Sequence, residues 1–283
     1  MTRQLSYLIT GAAHGIGRHL TRTLISRGHR VYLIDNSASE LNHTLTLLSR
    51  LARTAPPLTN ASTPLFNDAK PVDLADLAQL TAAVEDAKRF LHGRLDVLVN
   101  NAMALPHTWP VEGGCAEGDT EAVVRHWERQ VAVGLSAPFH LSRLCAGMMR
   151  RGEGREGGCV VNISSTRASM AEEGHEGYSA VKAGLLGLGQ SLAVSFGPRY
   201  GIRVNSLVLG WVNVEGEGRE GDENGWTWEE GLTVQDHDWH PAGRVGKGDD
   251  VVKAVEYLVD SDWVTGTEMV LDGGVTRKMV YPE

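Results

Sequence analysis

The sequence is poor in cysteine and has fewer basic than acidic residues. Its three cysteines, Cys115, Cys145 and Cys159, are too widely spaced to form a metal or redox motif. The 27 basic residues against 35 acidic residues leave a net charge of −8. This balance argues against a nucleic-acid partner, which usually requires a basic patch, and against adhesion to anionic membranes.

Long apolar runs are also missing. No segment approaches the roughly 20 apolar residues of a membrane-spanning helix, and the first residues contain no apolar stretch long enough for a signal peptide. We therefore expect no membrane partner, a cytoplasmic location and cysteines that remain reduced thiols.

Short apolar runs alternate with helical patterns along the chain. The predicted strands are Leu5–Thr10, Arg30–Asp35, Leu95–Asn100, Cys159–Ser164, Ile202–Val208 and Glu268–Leu271, with a weaker one before Asp73. Helical patterns occupy 15–28, 37–53, 74–92, 120–150, 176–198 and 248–260. This rhythm predicts a single α/β domain, a doubly wound Rossmann fold whose seven-stranded parallel sheet has helices on both faces.

Three stretches resemble insertions into this pattern: Ala55–Pro64, Gly152–Gly158 and Glu215–Gly225. The hexapeptide Gly-Glu-Gly-Arg-Glu-Gly occurs twice, at 152–157 and 216–221. Such a composition is typical of low-complexity loops that bury little surface and stay mobile, so we do not expect a structural repeat. The second copy falls within a predicted mobile loop at about 211–240.

A glycine-rich turn follows the first predicted strand and opens a helix. Thr10 is followed by Gly11-Ala-Ala-His14-Gly15-Ile16-Gly17, with the spacing Gly-x3-Gly-x-Gly. Glycines permit a tight turn and a close approach of the backbone to a pyrophosphate, and the helix N-terminus offers free N–H groups. This turn predicts a dinucleotide site.

Polar residues after the next strands fit the same site. Asp35 ends the second strand, where a carboxylate can bind ribose hydroxyls and would repel a 2′-phosphate. NAD is therefore favoured over NADP, although His14 could help to hold a phosphate. Asp73, with Leu74 beside it, is predicted to meet the adenine edge or to cap a helix. Asn100 and Ala102 mark the carboxyl end of a further strand.

A tyrosine and a lysine lie four residues apart in a predicted helix. This spacing places Tyr178 and Lys182 on one helix face. The pKa of a free tyrosine is about 10, and a nearby ammonium lowers it, which suits a proton shuttle between an alcohol and a ketone. Ser165 ends a strand at the same edge of the sheet and could hydrogen-bond the substrate oxygen.

Together these motifs resemble the short-chain dehydrogenase/reductase family over essentially the whole chain. The separation of 13 positions from Ser165 to Tyr178 (178 − 165 = 13) matches the usual family spacing. The resemblance implies that Tyr178 is the general acid/base, that Lys182 binds the nicotinamide ribose, and that Ser165 polarises the substrate. It also implies cofactor contacts at Gly210 and Val212, and a homodimer or homotetramer. Residues 1–110 would mainly bind the cofactor, and 111–283 would carry catalysis and substrate binding.

Four positions depart from the family motifs: Met103, Gly134, Leu209 and Val214. Gly134 replaces an asparagine in the fourth helix, where a glycine costs up to about 1 kcal/mol and favours a kink. These departures leave alternatives open. The chain could bind the dinucleotide as a sensor or scaffold without turnover, or it could catalyse an isomerisation or cyclisation.

Substrate contacts are expected between the catalytic residues and in the predicted loop. Arg167 could bind a carboxylate or phosphate of a substrate, although a structural salt bridge is the favoured explanation. His107 and Trp211 could line the cleft around a small alcohol or carbonyl compound. Asp236-His-Asp-Trp-His240 resembles a metal-ligand cluster only weakly, and we expect no metal.

Overall fold

The computed structural model describes residues 3–56, 63–152 and 154–279. Six strands form one parallel sheet, in the spatial order β2-β1-β3-β4-β5-β8, and β6 and β7 form a separate parallel pair. The strands are β1 (Ser6–Thr10), β2 (Arg30–Ile34), β3 (Val97–Asn100), β4 (Cys159–Ser165), β5 (Arg203–Leu209), β6 (Val212–Asn213), β7 (Gly246–Lys247) and β8 (Glu268–Leu271).

Helices cover both faces of the sheet. They are α1 (Gly15–Ser26), α2 (Ala38–Leu51), α3 (Leu77–Phe90), α4 (Gly114–Glu117), α5 (Thr120–Val131), α6 (Ala137–Met149), α7 (Glu176–Tyr200), α8 (Arg219–Asn224), α9 (Val234–Asp238) and α10 (Gly248–Asp260). Two 3₁₀ turns, Thr166–Ala168 and Val275–Arg277, complete the set. None of the helices in the described ranges is long and apolar enough to cross a membrane.

Two buried clusters hold the layers together. Side chains from α1, α2 and α10 pack on one face of the sheet, and side chains from α3, α6 and α7 pack on the other. The strands between them are buried almost throughout, which explains their continuous apolar sequences. The doubly wound α/β fold is therefore confirmed.

The sheet contains six strands, one fewer than predicted from the sequence. The weak pattern before Asp73 forms a single parallel bridge, between Phe66 and Val31. Beyond that bridge, the side-chain amide of Asn67 accepts from the Leu33 N–H at 2.7 Å and donates to the Leu33 carbonyl at 3.3 Å. The Asn67 side chain thus occupies the backbone hydrogen-bonding groups of Leu33. The segment at Phe66 and Asn67 therefore runs beside β2 without forming a further strand.

The strand order creates a crevice beside β1. From β1 the chain moves to β2 on one side, and β3 then lies on the other side of β1. Ligands of open α/β sheets bind at the carboxyl ends of the strands where the order reverses. The glycine-rich turn after β1 and the asparagines after β3 both lie at this point.

Candidate active site

The glycine-rich turn has the geometry that its sequence predicts. Gly11 and Gly15 have φ angles of +64° and +57°, a region that favours glycine. Gly17 has no space for a side chain, since a Cβ there would lie 1.9 Å from the Gly11 carbonyl oxygen. Ile16 packs against the core, and His14 is the exposed N-cap residue of α1. The turn is therefore a tight backbone cradle.

Two residues that the sequence reading did not select hold this cradle. The hydroxyl of Thr10 accepts hydrogen bonds from the N–H groups of Asn101 and Ala102, both at 3.0 Å. The Asn101 amide donates to the carbonyls of Thr10 at 2.9 Å and Gly11 at 3.3 Å. Asn100 instead donates to Asn162 across the sheet at 2.8 Å. The second asparagine thus shapes the turn, whereas the first links β3 to β4.

Asp35 joins the end of β2 to the turn. Its buried carboxylate accepts from the Ala13 N–H and from the Ser37 N–H, each at 3.0 Å. A carboxylate has further lone pairs, so these two contacts leave acceptor capacity for a ligand hydroxyl. The position of Asp35 at the end of β2 agrees with the sequence prediction. Its contact with the Ala13 N–H also fixes the glycine-rich turn to β2.

Asp73 does not cap a helix. The N-cap residue of α3 is Asp76, whose carboxylate accepts from the N–H groups of Ala78 and Gln79. Asp73 instead accepts two contacts from one guanidinium nitrogen of Arg129, at 2.6 and 2.8 Å, while its neighbour Leu74 is buried in the core. Arg129 lies on α5, 56 residues away, so no local pattern could reveal this ion pair.

Residues 214–222, here called the strap, lie against the glycine-rich turn. The carbonyl of Glu217 accepts from the Gly15 N–H at 2.7 Å, and Gly218 packs against the ring of His14. The Glu217 carboxylate binds Arg22 at 2.9 Å, His19 at 2.6 Å and Arg18 at 3.3 Å, all on α1.

The strap contains the second copy of the hexapeptide, and the expectation that this copy buries little surface is wrong. The Glu217 side chain is only 13% exposed, because the basic groups of α1 surround it. The two copies also differ in structure: Gly152 and Arg155 form an antiparallel bridge, whereas Arg219 begins α8. This confirms that the hexapeptide is not a structural repeat.

Replacing Glu217 by glutamine is expected to lower the free energy of unfolding by about 3 kcal/mol at pH 7. Despite the cost of burial, the contacts with His19 and Arg22 lower the pKa of Glu217 to about 2. A carboxylate with a depressed folded pKa stabilises the fold above its unfolded pKa and loses that effect as pH falls through the folded value. The difference between Glu217→Gln and wild type should therefore shrink between pH 4.5 and about 2.

Urea unfolding at several pH values measures this difference. Glu223→Gln is a matched control, because Glu223 lies on α8 of the same segment but forms an exposed pair with Arg219. An equal loss of stability in both variants, or a loss that is independent of pH, would contradict the prediction.

Ser165, Tyr178 and Lys182 converge at the carboxyl edge of the sheet. Ser165 ends β4, and Tyr178 lies in the first turn of α7. Both line a cavity of about 500 Å³. Lys182 is buried behind them, donates to the Ile163 carbonyl at 2.8 Å, and has its Nζ 5.4 Å from the centre of the Tyr178 ring. The three residues selected from the sequence thus form one cluster.

The direction of the Tyr178 pKa differs from the sequence expectation. Burial raises the pKa of the phenol, and a hydrogen bond with Ser165 and the charge of Arg167 oppose that rise. Burial also lowers the pKa of Lys182 to about 8. The Lys182 ammonium donates its hydrogen bond to the Ile163 carbonyl, at 2.8 Å.

The substrate candidates line the same cavity. The His107 ring packs against the Tyr178 ring, with ring centres 4.5 Å apart and planes tilted by 36°, and Trp211 also lines the cavity. Arg167 also faces the cavity and is paired with Glu172, so the salt-bridge interpretation holds. Gly210 is constrained, since a Cβ there would lie 2.7 Å from the Asp272 Cα, and Val212 follows it in β6.

Known proteins resemble this chain along most of its length. A family model described as enoyl-(acyl carrier protein) reductase matches residues 11–276. An uncharacterized oxidoreductase of Thermotoga maritima is 40% identical over 197 residues, which are 68% of this chain and 70% of the relative. A short chain dehydrogenase/reductase of Colletotrichum higginsianum is 35% identical over 205 residues, covering 72% of this chain and 67% of the relative.

The chain belongs to the short-chain dehydrogenase/reductase family. A solved structure of an apo SCOR enzyme from Clostridium thermocellum agrees, with a TM-score of 0.73, 30% identity and coverage of 99% of this chain and 96% of that one. The protein is accordingly an NAD(P)-dependent oxidoreductase that interconverts alcohols and ketones.

Two departures from the family motifs compensate each other. A Cβ at Gly134 would lie 2.5 Å from the Met103 sulfur and 2.5 Å from Val181 Cγ1. The bulk of Met103 therefore occupies the space that an asparagine at 134 would need. Gly134 also lies in a π-helical segment, Ala132–Ser136, which agrees with the local distortion expected from the sequence.

The other two departures lie at the end of β5 and against the glycine-rich turn. Leu209 is a buried core residue at the end of β5, and Val214 Cγ2 would lie 3.5 Å from a Cβ at Gly15. Val214 thus presents an apolar surface where the family places a hydroxyl, and its strap neighbour Glu217 supplies the polar contacts with α1.

The histidines of the Asp236–His240 sequence have structural roles. His240 contacts the Asp236 carbonyl through Nδ1 at 2.8 Å, and His237 accepts from the Val245 N–H at 3.4 Å. In the part of the chain that the structure describes, no three His, Cys, Asp or Glu side chains are arranged to hold a metal ion.

Proposed function

We propose that this enzyme uses NAD and that Tyr178 moves the proton between a secondary alcohol and its ketone. The observation that carries the proposal is the shared cavity of Ser165 and Tyr178, with Lys182 directly behind it. This cavity lies at the carboxyl edge of the sheet, as does the glycine-rich cradle.

The cradle fits a dinucleotide. Gly11 and Gly17 keep side chains out of the turn, and the first-turn N–H groups of α1 other than that of Gly15, which donates to Glu217, are suited to a pyrophosphate. Asp35 would hold the ribose hydroxyls. Bound here, the nicotinamide supplies the hydride acceptor or donor.

The protein residues handle the proton. In ketone reduction, the Tyr178 hydroxyl donates its proton to the carbonyl oxygen, and in alcohol oxidation the phenolate accepts it. Ser165 donates a hydrogen bond to the same oxygen and so stabilises the charge that develops on it. The Lys182 ammonium, close to the ring, favours the phenolate whenever the proton has left.

The carboxylate of Asp35 and the pairing of Arg18 both favour NAD over NADP. The buried carboxylate of Asp35 would repel a 2′-phosphate. Arg18, the nearby cation on α1, is buried and already binds Thr44, Glu217 and Asp222, so it offers no free charge to a phosphate.

Turnover of a panel of secondary alcohols and ketones, followed at 340 nm with each cofactor, tests the proposal. We expect wild type to use NAD more efficiently than NADP, and Asp35→Asn to lower the NAD:NADP ratio of kcat/KM at least about tenfold. Asp262→Asn, at an exposed site remote from the turn, should leave the ratio unchanged. A wild-type preference for NADP, or a ratio that Asp35→Asn does not change, would contradict the cofactor assignment.

We further propose a cytoplasmic homodimer or homotetramer. Val124, Trp127, Phe139 and Val194 expose apolar surface on α5, α6 and α7, as expected of an association face. The three cysteines are free thiols, which suits a reducing compartment.

A further inference from the structure

The cavity beside Tyr178 is lined by both polar and apolar side chains. His107 and Ser165 line it together with Tyr178. Trp211, Trp239 and Met170 contribute apolar lining, yet they are 48%, 46% and 39% exposed. Large apolar side chains that border a cavity and remain open to solvent provide a wall for a ligand's carbon skeleton.

The imidazole of His107 has unused hydrogen-bonding capacity. Within the described ranges, neither of its ring nitrogens is hydrogen-bonded, and its one ring contact is the stack on Tyr178. The nitrogens are not among the polar atoms sealed away from solvent, so they can reach a ligand in the cavity.

His107 is uncharged at neutral pH. Burial, with the charges of Lys182 and His175 adding to it, lowers the pKa of His107 to about 4. A neutral imidazole carries one donor and one acceptor nitrogen, which matches a hydroxyl group. The charge of Arg167, which lines the cavity, is already offset by Glu172, and this disfavours a carboxylate or phosphate as substrate.

The position of His107 is fixed from below by Gln130. This fully buried side chain on α5 donates to the carbonyls of Pro106 and His107, at 3.2 and 3.3 Å. Gln130 also packs against Gly177, the residue directly before Tyr178. A Cβ at Gly177 would lie only 2.5 Å from Gln130 Oε1. One buried amide therefore sets the distance between the loop of His107 and the helix of Tyr178.

We propose that His107 is a specificity-determining residue that binds a second substrate oxygen, on the carbon next to the reacting one. Both rings line the cavity with their centres only 4.5 Å apart, so the phenol and the imidazole can contact oxygens on adjacent carbons. The substrate class is then an uncharged vicinal diol and the corresponding α-hydroxyketone, with the carbon skeleton against Trp211 and Trp239. This inference rests on the proposed function and adds the substrate class.

A matched pair of substrates tests it: cis-1,2-cyclohexanediol, which carries the second oxygen, and cyclohexanol, which lacks it. Wild type should prefer the diol at least about tenfold in kcat/KM, which corresponds to about 1.4 kcal/mol. His107→Phe keeps a ring for the stack but has no nitrogen, so the diol:cyclohexanol ratio should fall to near one. His107→Asn restores a donor and an acceptor and should recover part of the preference.

The control is Trp263→Phe, because Trp263 is 96% exposed and does not line the cavity. It should keep the wild-type ratio. A wild type without a preference for the diol, or a preference that survives in His107→Phe, overturns the inference.

A binding measurement separates this inference from the proposed function. Quenching of the cavity tryptophans reports diol and cyclohexanol binding in the presence of NADH, which cannot accept a hydride from an alcohol, so no turnover occurs. Diol-selective binding that depends on His107 supports the inference even if no cofactor is reduced, in which case the proposed function fails. Turnover with binding that does not depend on His107 keeps the proposed function and overturns the inference.

Discussion

Tyr178→Phe is expected to lower kcat/KM at least about 1000-fold while leaving the affinity for NAD within a few-fold of wild type. The substitution removes only the hydroxyl, which faces the cavity beside Ser165, and it keeps the ring that stacks on His107. Proton transfer is lost, whereas the cradle and Lys182 remain. Steady-state kinetics and a cofactor titration measure the two effects separately.

Tyr257→Phe is the matched control, because the Tyr257 side chain is 52% exposed on α10 and lies outside the cavity. It should retain wild-type kinetics. Activity of Tyr178→Phe within threefold of wild type would remove Tyr178 from the chemistry. NAD binding without turnover in wild type would instead favour a role for this chain as a dinucleotide-binding scaffold.

Gly17→Ala is expected to destabilise the fold by at least about 3 kcal/mol and to abolish measurable dinucleotide binding. The added Cβ would lie 1.9 Å from the Gly11 carbonyl oxygen and 2.7 Å from Asn101 Nδ2. Both atoms belong to the cradle, and the first is backbone that cannot rotate away. The turn must therefore open or α1 must move, and either change displaces the N–H groups that face the ligand.

Gly147→Ala makes the same chemical change on α6, where a Cβ meets nothing within 4 Å. There, alanine should stabilise the helix by about 0.5–1 kcal/mol. Urea unfolding and NAD titration of both variants test the pair. Equal stability and equal NAD affinity in Gly17→Ala and Gly147→Ala would show that the turn tolerates a side chain.

Much of the architecture could be predicted from the sequence, because strand burial and helix periodicity are local signals. Predicted helices 15–28 and 248–260 correspond to α1 and α10, and the predicted strand Cys159–Ser164 corresponds to β4, which ends one residue later. The pattern before Asp73 was misleading, since the side chain of Asn67 competes with the backbone ladder.

The candidate site was predictable wherever a residue's position at a strand end or on a helix face determined its role. Ser165, Tyr178 and Lys182 meet because a parallel sheet brings strand ends to one edge. Thr10, Asn101 and Gln130 were missed, although the repeated asparagine at 100–101 was a usable signal: only one of two adjacent strand-end amides can face the turn.

The low-complexity composition of the strap was a misleading signal of another kind. Glu217 binds Arg22, 195 residues away, and composition cannot show that a charged loop will meet charges of opposite sign on a distant helix. Composition and local pattern also cannot show the ion pair between Asp73 and Arg129, or that Met103 fills the space beside Gly134, because these contacts join residues far apart in the chain.

By itself, the sequence determined the order of strands and helices, the glycine turn and the three candidate catalytic side chains, because each follows from spacing within a short segment. Only the tertiary structure decided which way the Tyr178 pKa moves, what holds the strap to α1, and that the His107 ring packs against the Tyr178 ring. These properties depend on burial and on contacts between residues far apart in the chain, and no local pattern encodes them.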